Sequence, residues 1–317
     1  MNSIISVKNL VKKYKKASVN AVDDISFEVS EGEFFAFLGP NGAGKTTTIS
    51  ILTTTLSKTS GEVKIAGFDI DKQSSRVRRN IGIIFQTPSL DLNLTAEENI
   101  RFHSILYGLY SFRPIYSLMP ESYKKRVSEL AEVLDLKNQI FKPIKTFSGG
   151  MKRKLEIIRS LMHRPKVLFL DEPTIGLDPQ ARKNLWLYLK QIMSEQKTTV
   201  FLTTHYLEEA EETDHICIIN LGKIVKEGTP EYIKRNLIED YLIVTPENRN
   251  ELESELTKKR VKFEGRADFK IYVKNKDIQE FLSKLNAKLK SIRTHSPSLE
   301  EAYLEIVDQR PEEKLNV

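Results

Sequence analysis

Residues 33–46 read EFFAFLGPNGAGKT, and this stretch decides the interpretation of the fold. The apolar run 33–38 predicts a buried strand, and a helix over residues 46–56 is expected to follow the glycine-rich loop. A strand, a glycine loop and a helix in this order form the first half of a β-α-β unit. The sequence therefore predicts an α/β domain built around this loop.

The loop itself matches G-x-x-x-x-G-K-S/T, the pattern of a phosphate-binding loop between a strand and a helix. Its glycines let the backbone N–H groups wrap around phosphate oxygens at the positive end of the helix. Lys45 would reach the β- and γ-phosphates, and the hydroxyl of Thr46 would bind Mg²⁺. The candidate ATP-binding residues here are Gly39, Pro40, Asn41, Gly42, Ala43, Gly44, Lys45, Thr46 and Thr47.

A second motif, VLFLDE at residues 167–172, places two acids after an apolar run. The run predicts a buried strand that delivers Asp171 to the metal ion, directly or through water. Glu172 lies one step further, where it can polarise the attacking water as a general base. Two acids after a strand are a weak motif alone, but the upstream phosphate loop makes the pair a candidate hydrolytic centre.

Composition narrows the class of protein. The chain has 317 residues and a net charge of +6. Its basic clusters, such as Lys12-Lys13 and 152–154, are scattered along the sequence. They are therefore expected on the solvated surface rather than in one nucleic-acid-binding stripe. No apolar run approaches the ~18–20 residues of a transmembrane helix, and residues 1–16 lack a signal-peptide core. Cys217, the single cysteine, lies in an apolar run and is expected in the core. The chain is therefore expected to be cytosolic.

The character of the sequence changes along the chain. We predict one α/β domain over residues 1–235, with an N-terminal antiparallel β portion and a helical insertion at about 88–146. The pattern β-α-β-β-α-β-α then predicts a small ferredoxin-like α+β domain over 236–309. It has neither a glycine loop nor a second apolar run like VLFLDE that ends in two acids, which favours an interaction or regulatory role. A polar tail, 310–317, follows.

Residues 146–153 read TFSGGMKR and resemble the signature sequence of the ABC ATPase family. The resemblance covers about residues 4–228. It implies that Ser148, Gly149 and Gly150 close on the γ-phosphate of a nucleotide held by another subunit, in a head-to-tail dimer with two ATP molecules. Phe147 and Met151 replace the commoner leucine and glutamine, while the Ser-Gly-Gly core is kept.

The same resemblance assigns further residues. Gln86 is similar to the glutamine that touches Mg²⁺ and water, and His205 to the switch histidine near the γ-phosphate. Asp178 lies in the loop that passes between subunits, and the Tyr14 ring would stack on adenine. The implied catalytic set is Glu172, His205, Gln86 and Lys45, and the implied Mg²⁺ ligands are Thr46, Gln86 and Asp171.

Residues 297–304, PSLEEAYL, together with Met151, are similar to the daunorubicin-resistance type of exporter subunit. This resemblance implies an ATP-hydrolysing subunit, in a homodimer or with a similar ATPase, on the inner face of the membrane. The insertion would contact a separate integral-membrane permease. One alternative is an ABC ATPase that acts on the ribosome or DNA, although no nucleic acid is expected. The other is a non-enzymatic interaction protein.

Overall fold

The computed structural model describes residues 3–86, 89–237, 241–265, 268–272, 278–295 and 298–308. They form two compact units, Met1–Glu227 and Gly228–Val317. The division thus follows Glu227, whereas the sequence suggested a boundary after residue 235. The predicted tail 310–317 lies outside the described residues.

The elements fall into the order expected of an α/β domain followed by a smaller α+β unit. The strands are β1 (Ser3–Lys12), β2 (Val22–Ser30), β3 (Phe34–Leu38), β4 (Ser60–Ile65), β5 (Phe68–Asp69), β6 (Ile81–Ile84), β7 (Val167–Asp171), β8 (Thr199–Thr203), β9 (His215–Asn220), β10 (Lys223–Gly228), β11 (Tyr241–Pro246), β12 (Phe263–Glu264), β13 (Phe269–Tyr272) and β14 (Leu289–His295). The α-helices are α1 (Lys45–Leu52), α2 (Ser74–Asn80), α3 (Ala96–Leu106), α4 (Glu121–Val133), α5 (Gly149–Leu161), α6 (Pro179–Gln196), α7 (Leu207–Glu211), α8 (Pro230–Leu237), α9 (Arg249–Lys258), α10 (Ile278–Ser283) and α11 (Leu299–Asp308).

A six-stranded sheet in the order β10-β9-β3-β8-β7-β6 forms the centre of the first unit. Strands β3, β7 and β8 are buried along their whole length and pair in parallel. Their alternate residues enter two different cores, because successive side chains of a strand point to opposite faces. Leu168 and Leu170 pack with helices α3 to α6, while Val167 and Phe169 pack with α1 and the N-terminal strands. Both faces are therefore covered, as the continuous apolar runs predicted.

A separate antiparallel sheet, in the order β2-β1-β4-β5, covers one side of the first unit and confirms the predicted N-terminal β portion. Lys12 in β1 corrects one expectation. Its side chain is buried rather than solvated, and its Nζ donates to the carbonyl of Ser57 at 2.5 Å. The aliphatic stem of a lysine can pack in the core when its ammonium group finds an acceptor at the edge.

The helical insertion contains α3 and α4. Thr95 and Glu98 form a capping box at the start of α3, as the T-x-x-E spacing of residues 95–98 predicts, and each side chain accepts the backbone N–H of the other. Inside the insertion, Arg101 pairs with Glu97 at 3.0 Å, and both side chains are 3% exposed. The insertion thus has its own caps and its own buried ion pair.

Two shorter observations concern α1 and Cys217. Helix α1 ends at Leu52 rather than at Leu56, because Thr54 takes a left-handed backbone conformation (φ 62°) that a helix cannot continue through. Cys217 is buried as predicted, and this burial raises the pKa of its thiol.

In the second unit, β11 pairs antiparallel with both β13 and β14, and the sheet order is β12-β13-β11-β14. Helices α9 and α10 lie in the two crossover connections, which gives the ferredoxin-like arrangement predicted from the sequence. Leu242, Leu252 and Phe269 are among the fully buried residues of its core. This unit therefore has a hydrophobic core of its own.

Candidate active site

The loop between β3 and α1 is shaped by its glycines. A Cβ added at Gly39 would lie 2.2 Å from the carbonyl oxygen of Ile219, so only glycine lets the loop pass the end of β9. Gly44 caps α1 with φ 111°, a conformation that side chains rarely adopt. Around Gly42 (φ 80°), an added Cβ would meet nothing within 4 Å. The loop is thus tightly packed at its two ends and open in the middle.

Lys45, the first residue of α1, folds its side chain back over this loop. Its Nζ donates to the carbonyls of Gly39 at 2.6 Å and Pro40 at 3.0 Å. Burial lowers the pKa of Lys45, and the nearby carboxylates of Glu172 and Asp171 oppose that change. The ammonium group and the N-terminus of α1 therefore create positive potential at one place, which suits an anionic phosphate.

Asp171 lies at the carboxyl end of β7, beside Thr203 on the neighbouring strand β8. The Thr203 hydroxyl donates to Asp171 Oδ1 at 2.5 Å. Burial raises the pKa of Asp171, and the hydrogen bond from Thr203, with the charges of Lys45 and Arg153, opposes the rise. Thr203 is not among the site residues predicted from the sequence. The sequence feature that could have revealed Thr203 is its place at the carboxyl end of the apolar strand β8, because β8 pairs with β7, the strand that ends in Asp171.

Glu172 follows with a left-handed backbone conformation (φ 49°), which for a residue other than glycine costs about 1 kcal/mol or more. Its backbone N–H donates to Thr203 O at 3.0 Å. Its carboxylate accepts from Gln86 Nε2 at 2.9 Å and lies 3.4 Å from His205 Nδ1. Two predicted side chains from separate segments, Gln86 and His205, therefore meet at the predicted Glu172 carboxylate.

A cavity of about 190 Å³ lies next to this carboxylate. Its lining combines the phosphate loop with two of the polar side chains: Ala21, Asn41, Gly42, Gly44, Lys45, Thr46, Thr47, Gln86 and Glu172. The lining therefore brings glycine backbone, one lysine and two threonines together with one glutamate and two side-chain amides. This arrangement can hold a phosphate chain with a water molecule beside Glu172.

Other predicted residues lie outside the lining. Tyr14 is 46% exposed, and its hydroxyl lies 3.3 Å from Thr47 Oγ1, which places the ring near the start of α1. Ser148 caps α5 by accepting from the Met151 N–H at 3.2 Å, and Gly149 beside it is exposed. Asp178 caps α6 by accepting from the Ala181 N–H at 2.9 Å. The roles assigned to these residues at a dimer interface remain predictions.

Arg153 also differs from what the sequence predicted. The basic cluster 152–154 was expected on the solvated surface, but the Arg153 side chain is 4% exposed. Its guanidinium group donates to the backbone carbonyls of Asp171 and Glu172, each at 3.0 Å. The sequence feature that could have revealed the burial of Arg153 is Glu156, which lies three residues later on the same helix face and can neutralise a buried guanidinium group.

Taken together, a phosphate loop, a buried aspartate after a parallel strand and a glutamate beside it define a P-loop ATPase cassette. The family model "ABC transporter" matches residues 22–175. The doxorubicin resistance ATP-binding protein DrrA of Mycobacterium tuberculosis is 36% identical over 251 residues, which are 79% of this chain and 73% of DrrA. The chain therefore belongs to the ABC transporter family, as one of its ATP-binding cassettes.

Two further similarities extend the comparison. The probable multidrug ABC transporter ATP-binding protein YbhF of Escherichia coli is 37% identical over 238 residues, covering 75% of this chain. The chain spans only 39% of the length of YbhF. A dimeric structure of the cassette MJ0796, in a post-hydrolysis state bound to ADP and Pi, superimposes with a TM-score of 0.64 and 28% identity, covering 71% of this chain and 98% of MJ0796.

Proposed function

We propose that the chain binds and hydrolyses ATP as the energy-supplying subunit of an ABC exporter. The observation that carries this proposal is the meeting of Glu172 with Gln86 at 2.9 Å and His205 at 3.4 Å, beside the cavity that Lys45 lines. In this geometry Glu172 takes a proton from the attacking water. Lys45 stabilises the charge of the phosphoryl group, and Gln86 and His205 respond to the γ-phosphate.

The residues present also suit Mg²⁺. Thr46 and Gln86 line the cavity, and the Asp171 carboxylate lies close enough to Lys45 for their charges to affect each other's pKa. Hydroxyl, amide and carboxylate oxygens are the ligands that this ion prefers. When bound, Mg²⁺ would neutralise charge on the phosphate oxygens.

The proposed dimer is supported by the place of the signature residues. Ser148–Gly150 form the exposed N-terminus of α5 and do not line the cavity formed by the chain's own phosphate loop. A helix N-terminus of this kind suits the phosphate of a nucleotide held by a second copy or by a similar ATPase. The similar MJ0796 cassette forms a dimer, which supports a dimeric state for this chain as well.

The proposed permease contact is supported by the insertion. Leu106, Phe112, Ile115, Leu118 and Phe141 are between 54% and 84% exposed, an unusual density of exposed large apolar side chains. In the described part of the chain, no helix is long and apolar enough to cross a bilayer. A separate membrane permease would therefore cover this apolar surface and hold the chain at the inner face of the membrane.

Export, rather than import, is supported by the drug-resistance and multidrug names of DrrA and YbhF.

The second candidate, an ABC ATPase acting on the ribosome or DNA, has less support because the basic clusters do not form one stripe. Affinity purification from detergent-extracted membranes separates the two. A multi-span membrane protein in near-equal amount supports the transporter, and ribosomes or only soluble partners would refute it.

The ATPase chemistry is tested with Glu172→Gln, which keeps the side-chain shape and can still pair with Gln86. We expect turnover to fall by about 10²- to 10⁴-fold, with ATP binding retained and a dimer that accumulates in ATP on size-exclusion chromatography. Glu121→Gln, which removes an 88% exposed carboxylate at the start of α4, is the matched control. Normal turnover by Glu172→Gln would show that another residue is the base.

A further inference from the structure

Helix α5 buries two charged residues on the face that it turns toward the active-site segments. Arg153 is 3% exposed and Glu156 is 2% exposed. Glu156 Oε2 lies 3.2 Å from Arg153 Nη1, so the pair has no net charge. Burial of an ion pair requires that nearly every donor and acceptor finds a partner. The partners of Arg153 are therefore informative.

A guanidinium group has five N–H donors, and the structure supplies five acceptors for Arg153. Glu156 is one of them. The others are backbone carbonyls: Pro173 at 2.9 Å, Asp171 and Glu172 at 3.0 Å each, and Phe85. One side chain thus holds the last residue of β7, the two residues that follow it and the residue after β6.

The same helix holds the far side of Gln86. Glu156 Oε1 accepts from the Ser89 N–H at 2.8 Å. Arg159, one turn further along α5, donates to the Ser89 carbonyl and to its hydroxyl, each at 2.6 Å. Phe85 and Ser89, which lie on either side of Gln86 in the sequence, are therefore both held by α5.

These contacts converge on the side chains proposed to act on ATP. Gln86 and Glu172 meet at 2.9 Å, and each is presented by a backbone segment that Arg153 holds. Glu172 also has a left-handed conformation, which persists only when its surroundings impose it. The Arg153 contact to its carbonyl is one such restraint.

Resting on the proposed function, we propose that Arg153 is a positioning residue that sets the geometry of Glu172 and Gln86 and links it to the signature end of α5. Ser148–Gly150 begin the same helix. A shift of α5 when these residues engage the nucleotide of the second subunit would therefore move the chain's own base. In this way Arg153 couples the two nucleotide sites of the proposed dimer.

The test compares Arg153→Gln, Arg153→Lys and a matched control, Arg101→Gln, in the full-length chain. Arg101 is an equally buried guanidinium group that pairs with Glu97 inside the insertion, and it makes no contact with the cavity residues among those described. Each variant is assayed for ATP affinity, turnover and thermal stability. Hydrogen exchange is followed in peptides covering residues 85–86 and 171–173.

We expect Arg153→Gln to bind ATP like the wild type but to turn over about 100-fold more slowly, because small displacements of catalytic groups have effects of this size. Arg153→Lys, which keeps the charge with fewer donors, should recover part of the rate. Arg101→Gln should lose thermal stability but keep wild-type turnover. Exchange in both peptides should accelerate only in the Arg153 variants.

Wild-type turnover in Arg153→Gln would overturn the inference and leave the proposed function standing. A loss of ATP binding and turnover in both Arg153→Gln and Arg101→Gln would also overturn it, because the effect would then be general destabilisation. If the wild type neither binds nor hydrolyses ATP, the proposed function fails. Hydrogen exchange then tests the positioning role by itself. If exchange in residues 171–173 is the same in Arg153→Gln as in the wild type, the positioning role is refuted.

Discussion

Thr203→Val isolates one hydrogen bond at the centre of the site. Thr203 is fully buried, Asp171 is 6% exposed, and their side-chain oxygens lie 2.5 Å apart. Valine has nearly the shape of threonine, so no cavity forms, but the Asp171 carboxylate loses a buried donor. A hydrogen bond to a charged group contributes about 1.5–3 kcal/mol, and we expect the variant to lose about 2 kcal/mol.

The free energy of unfolding is measured by denaturant titration at pH 7. Trp186, the single tryptophan, lies in the first unit with its ring 5.8 Å from that of Phe34, so its fluorescence follows the unit that contains the bond. In a domain of this size, the loss corresponds to about 5 °C in Tm. Because the bond opposes the rise in the pKa of Asp171, its removal should raise that pKa further.

Thr203→Ser is the control, because it keeps the hydroxyl group and removes one methyl group. That loss should cost about 1 kcal/mol, less than Thr203→Val. The reasoning is refuted if the serine variant is as unstable as the valine variant or less stable. Packing of the methyl group would then matter more than the hydrogen bond.

Two further predictions concern the phosphate loop and the partly buried pair His215 and Glu33. Gly39→Ala should destabilise the first unit by more than about 2 kcal/mol, because its Cβ would meet the Ile219 carbonyl at 2.2 Å. Gly42→Ala has free space but a positive φ, and it should cost about 1 kcal/mol. Equal losses of unfolding free energy in the two variants, followed by Trp186 fluorescence, would rule out the clash. The hydrogen bond with Glu33 raises the pKa of His215 above 6.5. Burial acts to raise the pKa of Glu33, but the hydrogen bonds from His215 and Ser30 outweigh burial and lower that pKa below 4.5. The His215 contribution is present below pH 6.5 and is lost as the pH rises through its folded pKa, while that of Glu33 is lost as the pH falls through its own. His215→Gln should therefore cost about 0.5 kcal/mol, chiefly between pH 4.5 and 6.5, and a loss that grows toward pH 9 would contradict the pairing.

The exposed apolar residues of the insertion illustrate a limit of periodicity. Val127, Leu130, Ala131 and Leu134 recur at helical spacing, a pattern that predicts one buried face, and all four are buried along α4 and its C-cap. The apolar pattern of the insertion does not reveal which apolar side chains remain at the surface, such as Leu106 and Phe112. Their exposure depends on which neighbouring elements cover each face.

Local chemistry was sufficient for the phosphate loop, the buried strands and the capping box at Thr95. Glycine conformations, continuous apolar runs and reciprocal caps depend on residues that are adjacent or nearly adjacent in the chain. The sequence therefore determined the P-loop core and located Lys45 and Asp171 without knowledge of the packing.

Tertiary structure alone decided what joins the site together. Gln86 and Glu172 are 86 residues apart and meet because β6 and β7 are neighbours in the parallel sheet. Arg153 looked like a surface residue until the strand ends supplied carbonyl acceptors for its whole guanidinium group. Hydrogen-bond satisfaction across distant segments is a property of the assembled fold, and no local pattern in the sequence encodes it.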